Sequence, residues 1–412
     1  MKLGLQKGQN GKMLLNGKPF VGFGVNCFNL ITSCYDQEGD NPLTMLCDGK
    51  LNPAPALKAL ETLANNGVKV VRFNAGSFYP NGWKNVMDNF ELHLNLLDEV
   101  YTAADRLHIG LIPSFFWTSF FCNVFDEGPS VALRNPETNP SKTLAFIKWF
   151  TQGIVKKLKH HTSAYMWEFG NEHQLSMDIP WWRPTPLPEN SVRMRATQWE
   201  DMITSFEYGD LLTWWAKIIH EVDEDNRLIG TGDAVTRPCA YNLAYRNQSM
   251  EIDTREEHLT LMQRVNGGID AVSIHEYTNY PFFMREYGVD GHGNYGVLGE
   301  DLGTTNWKER MELFMQQCRA MNKTGYLGEF GVLTGDAFDP REYEMQARAI
   351  FEACIETGVP IALFWNYDYF TEQIPGDLTE HGTGVEYSCN ERWEKGKLIL
   401  SLIKEYNEKT NG

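Results

Sequence analysis

Eight short apolar runs alternate with eight segments of helical period along this chain, and no other feature narrows its folding options as far. The runs cover residues 20–26, 68–74, 108–114, 165–170, 227–231, 271–275, 325–329 and 360–366. They are rich in Val, Ile and Phe and have the length of buried strands. Each is followed by apolar residues at helical spacing. Leu211, Trp214, Trp215, Ile218, Ile219 and Val222 form one such stripe, and Trp307, Met311, Phe314, Cys318 and Met321 form another. A third runs through Tyr343, Ala347, Ile350, Phe351 and Cys354, and Leu398 and Leu402 lie on a closing helix. Strands that alternate with helices predict a parallel sheet. Eight βα units favour a closed (β/α)8 TIM barrel over an open doubly wound sheet, because closure removes both edge strands.

The core of such a barrel takes about 250 residues, so a single domain over 1–412 must carry its surplus in loops. The longest stretches without periodicity are 27–53, 173–200 and 276–305, and each follows a strand run. Loops after strands form the active-site face of this fold, so these insertions are expected to build a substrate cleft. Trp181 and Trp182, in the proline-rich stretch 179–188, are expected on one wall of it. The Gly-Phe-Gly at 22–24 falls inside a strand run instead of a dinucleotide-binding turn, and there is no Walker A segment.

The formal charge of -17 opposes approach to nucleic acid or an anionic membrane, so a neutral or cationic substrate is the better expectation. No stretch is apolar enough for a signal peptide or a membrane span. As written, the chain reads as cytoplasmic, or as secreted if a leader has been removed, and as a monomer. Eight cysteines are scattered without a CxxC pair. Free thiols are expected, with a Cys27–Cys34 disulfide left open for an oxidising compartment. HExxH is absent, and His275 and Glu276 face opposite sides of a strand, so no metal and no cofactor are expected.

Two strand runs end in carboxylates. The first reads Trp167, Glu168, Phe169, Gly170, Asn171, Glu172; the second reads Tyr326, Leu327, Gly328, Glu329, Phe330. Two barrel strands would thus deliver carboxyl groups to one rim. Glycoside hydrolysis with retention needs such a pair, about 5 to 5.5 Å apart, one protonating the leaving oxygen while the other attacks the anomeric carbon. The first must be protonated and the second ionised. An arginine beside the nucleophile favours its charged form, and Arg72, ending the second run, is placed for that.

On these residues the sequence resembles glycoside hydrolase family 5 and its wider clan of retaining β-glycosidases. The resemblance runs from Asn16, Gly17, Lys18 and Pro19, before the first strand, to Trp365 on the eighth. It implies a division of labour around one sugar ring. Glu172 is implied as acid/base, Asn171 as the amide that holds the 2-hydroxyl, and Glu329 as nucleophile with Arg72 and Tyr277 as its hydrogen-bonding partners. His275 is implied to orient the acid/base region, and Trp365 to form the apolar floor under the reacting sugar. The chain departs from the family at Phe115, Phe116 and Trp117, where a histidine is common after the third strand. It departs again at His173, where proline is common after the acid/base.

Other residues have plainer readings. Glu168 is expected as a barrel-interior carboxylate paired with a base, Arg72 being the candidate. His160 and His161 end a helix beside Lys156, Lys157 and Lys159, where cations suit the helix dipole. Asp233, just after the fifth run, is expected to cap its turn, with contact to substrate as the alternative. Trp214 and Trp215 belong to the core stripe, whereas Trp83, Trp117, Trp181 and Trp182 have no stripe and are candidate sugar contacts. The expected function is retaining hydrolysis of a β-linked hexose polymer or oligosaccharide of β-mannan or β-glucan type. The alternatives are a transglycosylase and a barrel that binds carbohydrate without cleaving it.

Overall fold

The computed structural model describes residues 2–38, 41–178, 202–277, 302, 307–332, 339–367 and 394–411. Eight parallel strands close into a barrel in sequence order: β1 (Gly22–Asn26), β2 (Val70–Asn74), β3 (Gly110–Phe116), β4 (Met166–Gly170), β5 (Leu228–Gly230), β6 (Ala271–Tyr277), β7 (Thr324–Gly331) and β8 (Ile361–Phe364). The seam is made where Ile361 pairs Gly22 and Phe364 pairs Val25. A helix follows each strand: α1 (Ala54–Asn65), α2 (Phe90–Leu107), α3 (Lys142–Leu158), α4 (Ser205–His220), α5 (Arg255–Val265), α6 (Trp307–Ala320), α7 (Pro340–Thr357) and α8 (Glu394–Asn411). Every strand overlaps its expected run, and the (β/α)8 barrel is the fold.

Helix starts follow from local chemistry. Thr204 and Glu207 form a capping box at α4, as do Thr254 and Glu257 at α5, each satisfying backbone donors the first turn would leave open. The Asp339 side chain caps α7, whose first residue is Pro340 and whose end is Gly358 in the left-handed region. The expected stripes pack inward: Leu211, Trp215, Ile218 and Ile219 of α4 are buried, as are Tyr343, Ala347, Ile350, Phe351 and Cys354 of α7.

Alternation along the strands divides the barrel into two cores. Val71 and Phe73 on β2, and Trp167 and Phe169 on β4, face the helices. Val70, Ile112, Met166, Leu228, Ala271, Tyr326, Ile361 and Leu363 fill the lower interior, capped by Leu5 and Met13. Those two belong to a three-stranded antiparallel sheet of Leu5–Lys7, Met13–Leu15 and Lys18–Phe20. Its second hairpin turns on Asn16 and Gly17, both at positive φ, which is what a tight two-residue turn requires.

One expectation is corrected. Trp83 is fully buried under the helix Pro80–Asp88, packed on Phe116, Phe146 and Phe150, and lines no sugar site. Among the described cysteines no disulfide forms, and none joins Cys27 to Cys34; Cys389 lies outside the described residues. No described helix is long and apolar enough to cross a membrane.

Candidate active site

Above the apolar layer the barrel interior turns polar, and Arg72 is its centre. The guanidinium is fully buried and uses all five N–H donors. Nε donates to Glu168 Oε1 at 2.6 Å, and Nη1 donates to Asn26 Oδ1 and Glu329 Oε1, both at 2.9 Å. Nη2 donates to Asn171 Oδ1 at 2.8 Å and to the Gly170 carbonyl at 3.3 Å. Burial alone would lower the Arg72 pKa, but Glu168 and Glu329 hold it above its ordinary value. Glu168 also accepts from the Tyr326 hydroxyl at 2.7 Å, so it is the interior partner expected of it.

Glu329 reaches this layer through an irregularity. Tyr326 points into the barrel and Leu327 out, so strict alternation would turn Glu329 outward. The β6–β7 register skips Gly328, pairing Ile274 with Leu327 and His275 with Glu329, and the skip restores the inward direction. Only glycine fits there: a Cβ on Gly328 would lie 2.4 Å from Ser273 Oγ. Burial pushes the Glu329 carboxyl above its usual range and the neighbouring Glu172 adds to the push, while the Arg72 charge and the Tyr277 hydrogen bond oppose it. The Tyr277 hydroxyl donates to Glu329 Oε2 at 2.6 Å.

Glu172 is presented by a strained turn at the end of β4. Its backbone is left-handed (φ 53, ψ 27), a conformation that costs a non-glycine residue about 1 kcal/mol or more. The turn is held by the Glu172 N–H on the Gly232 carbonyl (3.0 Å) and the Leu175 N–H on the Glu172 carbonyl (3.0 Å). His275 Nδ1 lies 2.8 Å from Glu172 Oε1 and 3.5 Å from Glu329 Oε2. Burial lowers the His275 pKa to about 4, so the imidazole between the two carboxyls is neutral. A carboxylate oxygen of Glu172, one of Glu329 and the His275 nitrogen all lie within 4.8 Å of one another. Those three could grip a cation, but both Glu329 oxygens already accept hydrogen bonds and the Arg72 charge opposes a second one.

His173 packs between Phe169 and Tyr208, and its Nε2–H donates to the Phe116 carbonyl at 2.7 Å. Burial lowers its pKa to about 4. It therefore ties the Glu172 turn to β3 as a neutral donor. Trp117 is buried with its ring 4.5 Å from the Arg72 guanidinium, and it lies beside Trp365 at 5.8 Å between centroids. Phe28 contacts both rings. The structure thus brings together Arg72, Asn171, Glu172, His173, His275, Tyr277, Glu329, Trp117 and Trp365. Trp181 and Trp182 lie outside the described residues.

One residue escaped the sequence reading and another is placed differently from it. Asn26, at the end of β1, accepts from Arg72 and donates to the Gly328 carbonyl at 2.9 Å, bracing both the arginine and the bulge. Its strand-end position alone did not single it out. Asp233, expected as a turn cap, is instead a buried carboxyl that accepts from the Tyr208 hydroxyl at 3.1 Å and from the Gln174 backbone, two residues past Glu172. Burial pushes it to about 7.

No protein-family model matches the sequence, and no curated protein matches it. Among solved structures, the chain is similar to the endo-1,4-β-D-mannanase of Thermotoga petrophila, at 14% identity and a TM-score of 0.56, over 95% of this chain and 100% of that one. It is similar to an exo-β-1,4-mannosidase of an Opitutaceae bacterium at 16% identity and a TM-score of 0.58, over 99% of this chain but 63% of that one. A β-glucanase of Saccharophagus degradans, solved with cellotetraose, matches at 14% identity and a TM-score of 0.54, over 99% and 94% of the two chains. At such identities the likeness is one of fold, and the fold this chain shares with the mannanases and the glucanase is the (β/α)8 barrel.

Proposed function

We propose that this protein is a retaining β-glycoside hydrolase acting on β-linked hexose poly- or oligosaccharides of mannan or glucan type. The observation that carries the reading is the approach of Glu172 and Glu329 oxygens to within 4.8 Å. Direct attack by one carboxylate needs a separation of about 5 to 5.5 Å, whereas an inverting enzyme keeps its carboxyls about 6.5 to 9.5 Å apart to seat a water. Glu172, more open at 31% side-chain exposure, gives its proton to the glycosidic oxygen. Glu329, at 5% exposure and ionised by Arg72 and Tyr277, attacks the anomeric carbon. The C–O bond to the leaving sugar breaks as the glycosyl ester forms. Water then gives a proton to Glu172 and displaces Glu329 with a second inversion. Asn171 has its oxygen fixed by Arg72, which leaves its amide N–H to bind the sugar 2-hydroxyl. Trp365 supplies an apolar face for the ring C–H groups.

The substrate class rests on the charge of -17, which suits an uncharged polymer, and on the mannanase, mannosidase and glucanase among the fold relatives. Hydrolysis across mannan, glucan, xylan and aryl-β-glycosides identifies the sugar. Glu329→Ala is expected to lower turnover by roughly a thousandfold or more with the circular dichroism spectrum unchanged. NMR of the first product is expected to show the β-anomer. An α-anomer as first product, or retained activity in the variant, would remove Glu329 as nucleophile.

A further inference from the structure

Away from the catalytic rim, at the turn that enters β4 from below, three metal-binding side chains converge. His160 and His161 follow the C-terminus of α3, and Asp98 projects from α2. Asp105, one helical row further along α2, fixes the arrangement. Its Oδ1 accepts from Thr162 Oγ1 and the Ser163 N–H, both at 2.7 Å, and its Oδ2 lies 2.6 Å from His161 Nδ1. A carboxylate only accepts, so Nδ1 carries the proton. The other ring nitrogen, Nε2, faces Asp98 Oδ1 at 3.1 Å. In the neutral imidazole that contact sets lone pair against lone pair, and it is stable only with a positive centre between the two atoms.

A second proton on His161 would supply that centre, but it needs only the two groups. The structure adds a third. His160 Nε2 lies 3.9 Å from the same Asp98 oxygen, and the three donor atoms all fall within 4.8 Å of one another. Zinc bonds of about 2.0 to 2.2 Å in a tetrahedron hold neighbouring ligand atoms about 3.4 Å apart, and the separations of 3.1 and 3.9 Å lie on either side of that value. The carboxylate behind His161 is the support that metal-bound histidines commonly have. The carbonyl end of α3 adds partial negative charge. Lys157 contacts the other Asp98 oxygen at 3.3 Å and leaves Oδ1 to the histidines.

We propose that Asp98, His160 and His161 form a zinc site that joins α2 to the α3–β4 turn, with its fourth position open to water beside the exposed His160. Two imidazoles and one carboxylate select a borderline transition ion over calcium or magnesium, which require oxygen donors.

The test is calorimetric titration of zinc chloride into the chelator-treated full chain at neutral pH, with melting curves alongside. One zinc per chain is expected, together with a higher melting midpoint in zinc but not in calcium. His160→Ala, at a side chain 65% exposed, and Asp98→Asn, nearly the same size, are each expected to weaken binding more than about tenfold and to cancel the shift. The metal-free His160→Ala variant, altered only at an exposed side chain, should melt as the wild type does. Failure of the wild type to take up zinc would overturn the proposal. So would one zinc bound with unchanged affinity in both variants, which would place the ion elsewhere on the chain.

Discussion

Arg72 directs every donor it has into the barrel, and the consequence falls on Glu329. A carboxyl this buried is pushed toward protonation, yet the proposed nucleophile must be ionised, so the acid limb of activity should follow the groups that stabilise its charge. Tyr277 is one of them, donating to Glu329 Oε2 at 2.6 Å. Its hydrogen bond favours the charged form and lowers the pKa, so removing it must raise the pKa. In Tyr277→Phe the acid limb of kcat/KM is expected to move up by about 1 pH unit, the equivalent of a charged hydrogen bond of about 1.5 kcal/mol. A pH–rate profile on an aryl glycoside reads it, and a limb that stays in place or moves down contradicts the assignment. At this scale much of the site was legible, because Arg72, Asn171, Glu172, His275, Tyr277 and Glu329 end strand runs where a barrel places its chemistry. Asn26 was not, since an amide at a strand end has no signature until its arginine is seen. Nor was the direction of Glu329, which depends on a bulge at Gly328 that simple alternation does not predict.

The turn after β4 is the element on which the proposed acid/base, Glu172, depends, and it is anchored from two sides. His173 fastens it to β3 through the Phe116 carbonyl, and Asp233 fastens it to the end of β5 through the Gln174 backbone. The histidine where proline is common, and the aspartate after β5, are thus parts of one support. Asp233 makes that support sensitive to pH. Its carboxyl titrates at about 7 in the fold, against an ordinary value of 3.8, because burial penalises the charge. The folded chain therefore holds this proton over a range where the unfolded chain has lost it. The stabilisation is complete below about pH 4 and is lost as pH rises through 7, by up to about 4 kcal/mol. Asp233→Asn cannot titrate, so its stability relative to wild type should improve from pH 5 to pH 8. Urea denaturation at the two pH values measures this, and an equal difference at both would show that Asp233 is ionised throughout.

For the molecule as a whole, the strand order and the closure followed from counting βα units. What the count did not reveal was how the two ends of the chain complete the barrel. The N-terminal sheet that plugs its floor has strands of only three residues, too short for periodicity to register, and its Asn16–Gly17 turn went unread. The C-terminal helix α8 appeared as an apolar stripe, but its key contact is polar. Asn407, 2% exposed, accepts from the Phe23 N–H at 2.8 Å and donates to the Phe23 carbonyl at 2.8 Å and the Gly67 carbonyl at 2.9 Å. The last helix thereby pairs with the first strand and with the turn that leads into the second, as an extra strand edge would. Asn407→Ala would strand the buried Phe23 N–H, at about 1 to 3 kcal/mol, and would take one bond each from the Phe23 carbonyl, which keeps the Lys69 N–H at 3.3 Å, and from the half-buried Gly67 carbonyl, at about 1 kcal/mol together. A loss of about 2 to 4 kcal/mol is expected, seen as a lower urea midpoint. Phe23 lies three residues below Asn26, at the end of the barrel away from the catalytic rim, so kcat of the folded variant should equal that of wild type. Reduced kcat with an unchanged midpoint would mean that Asn407 acts on the site and not on closure.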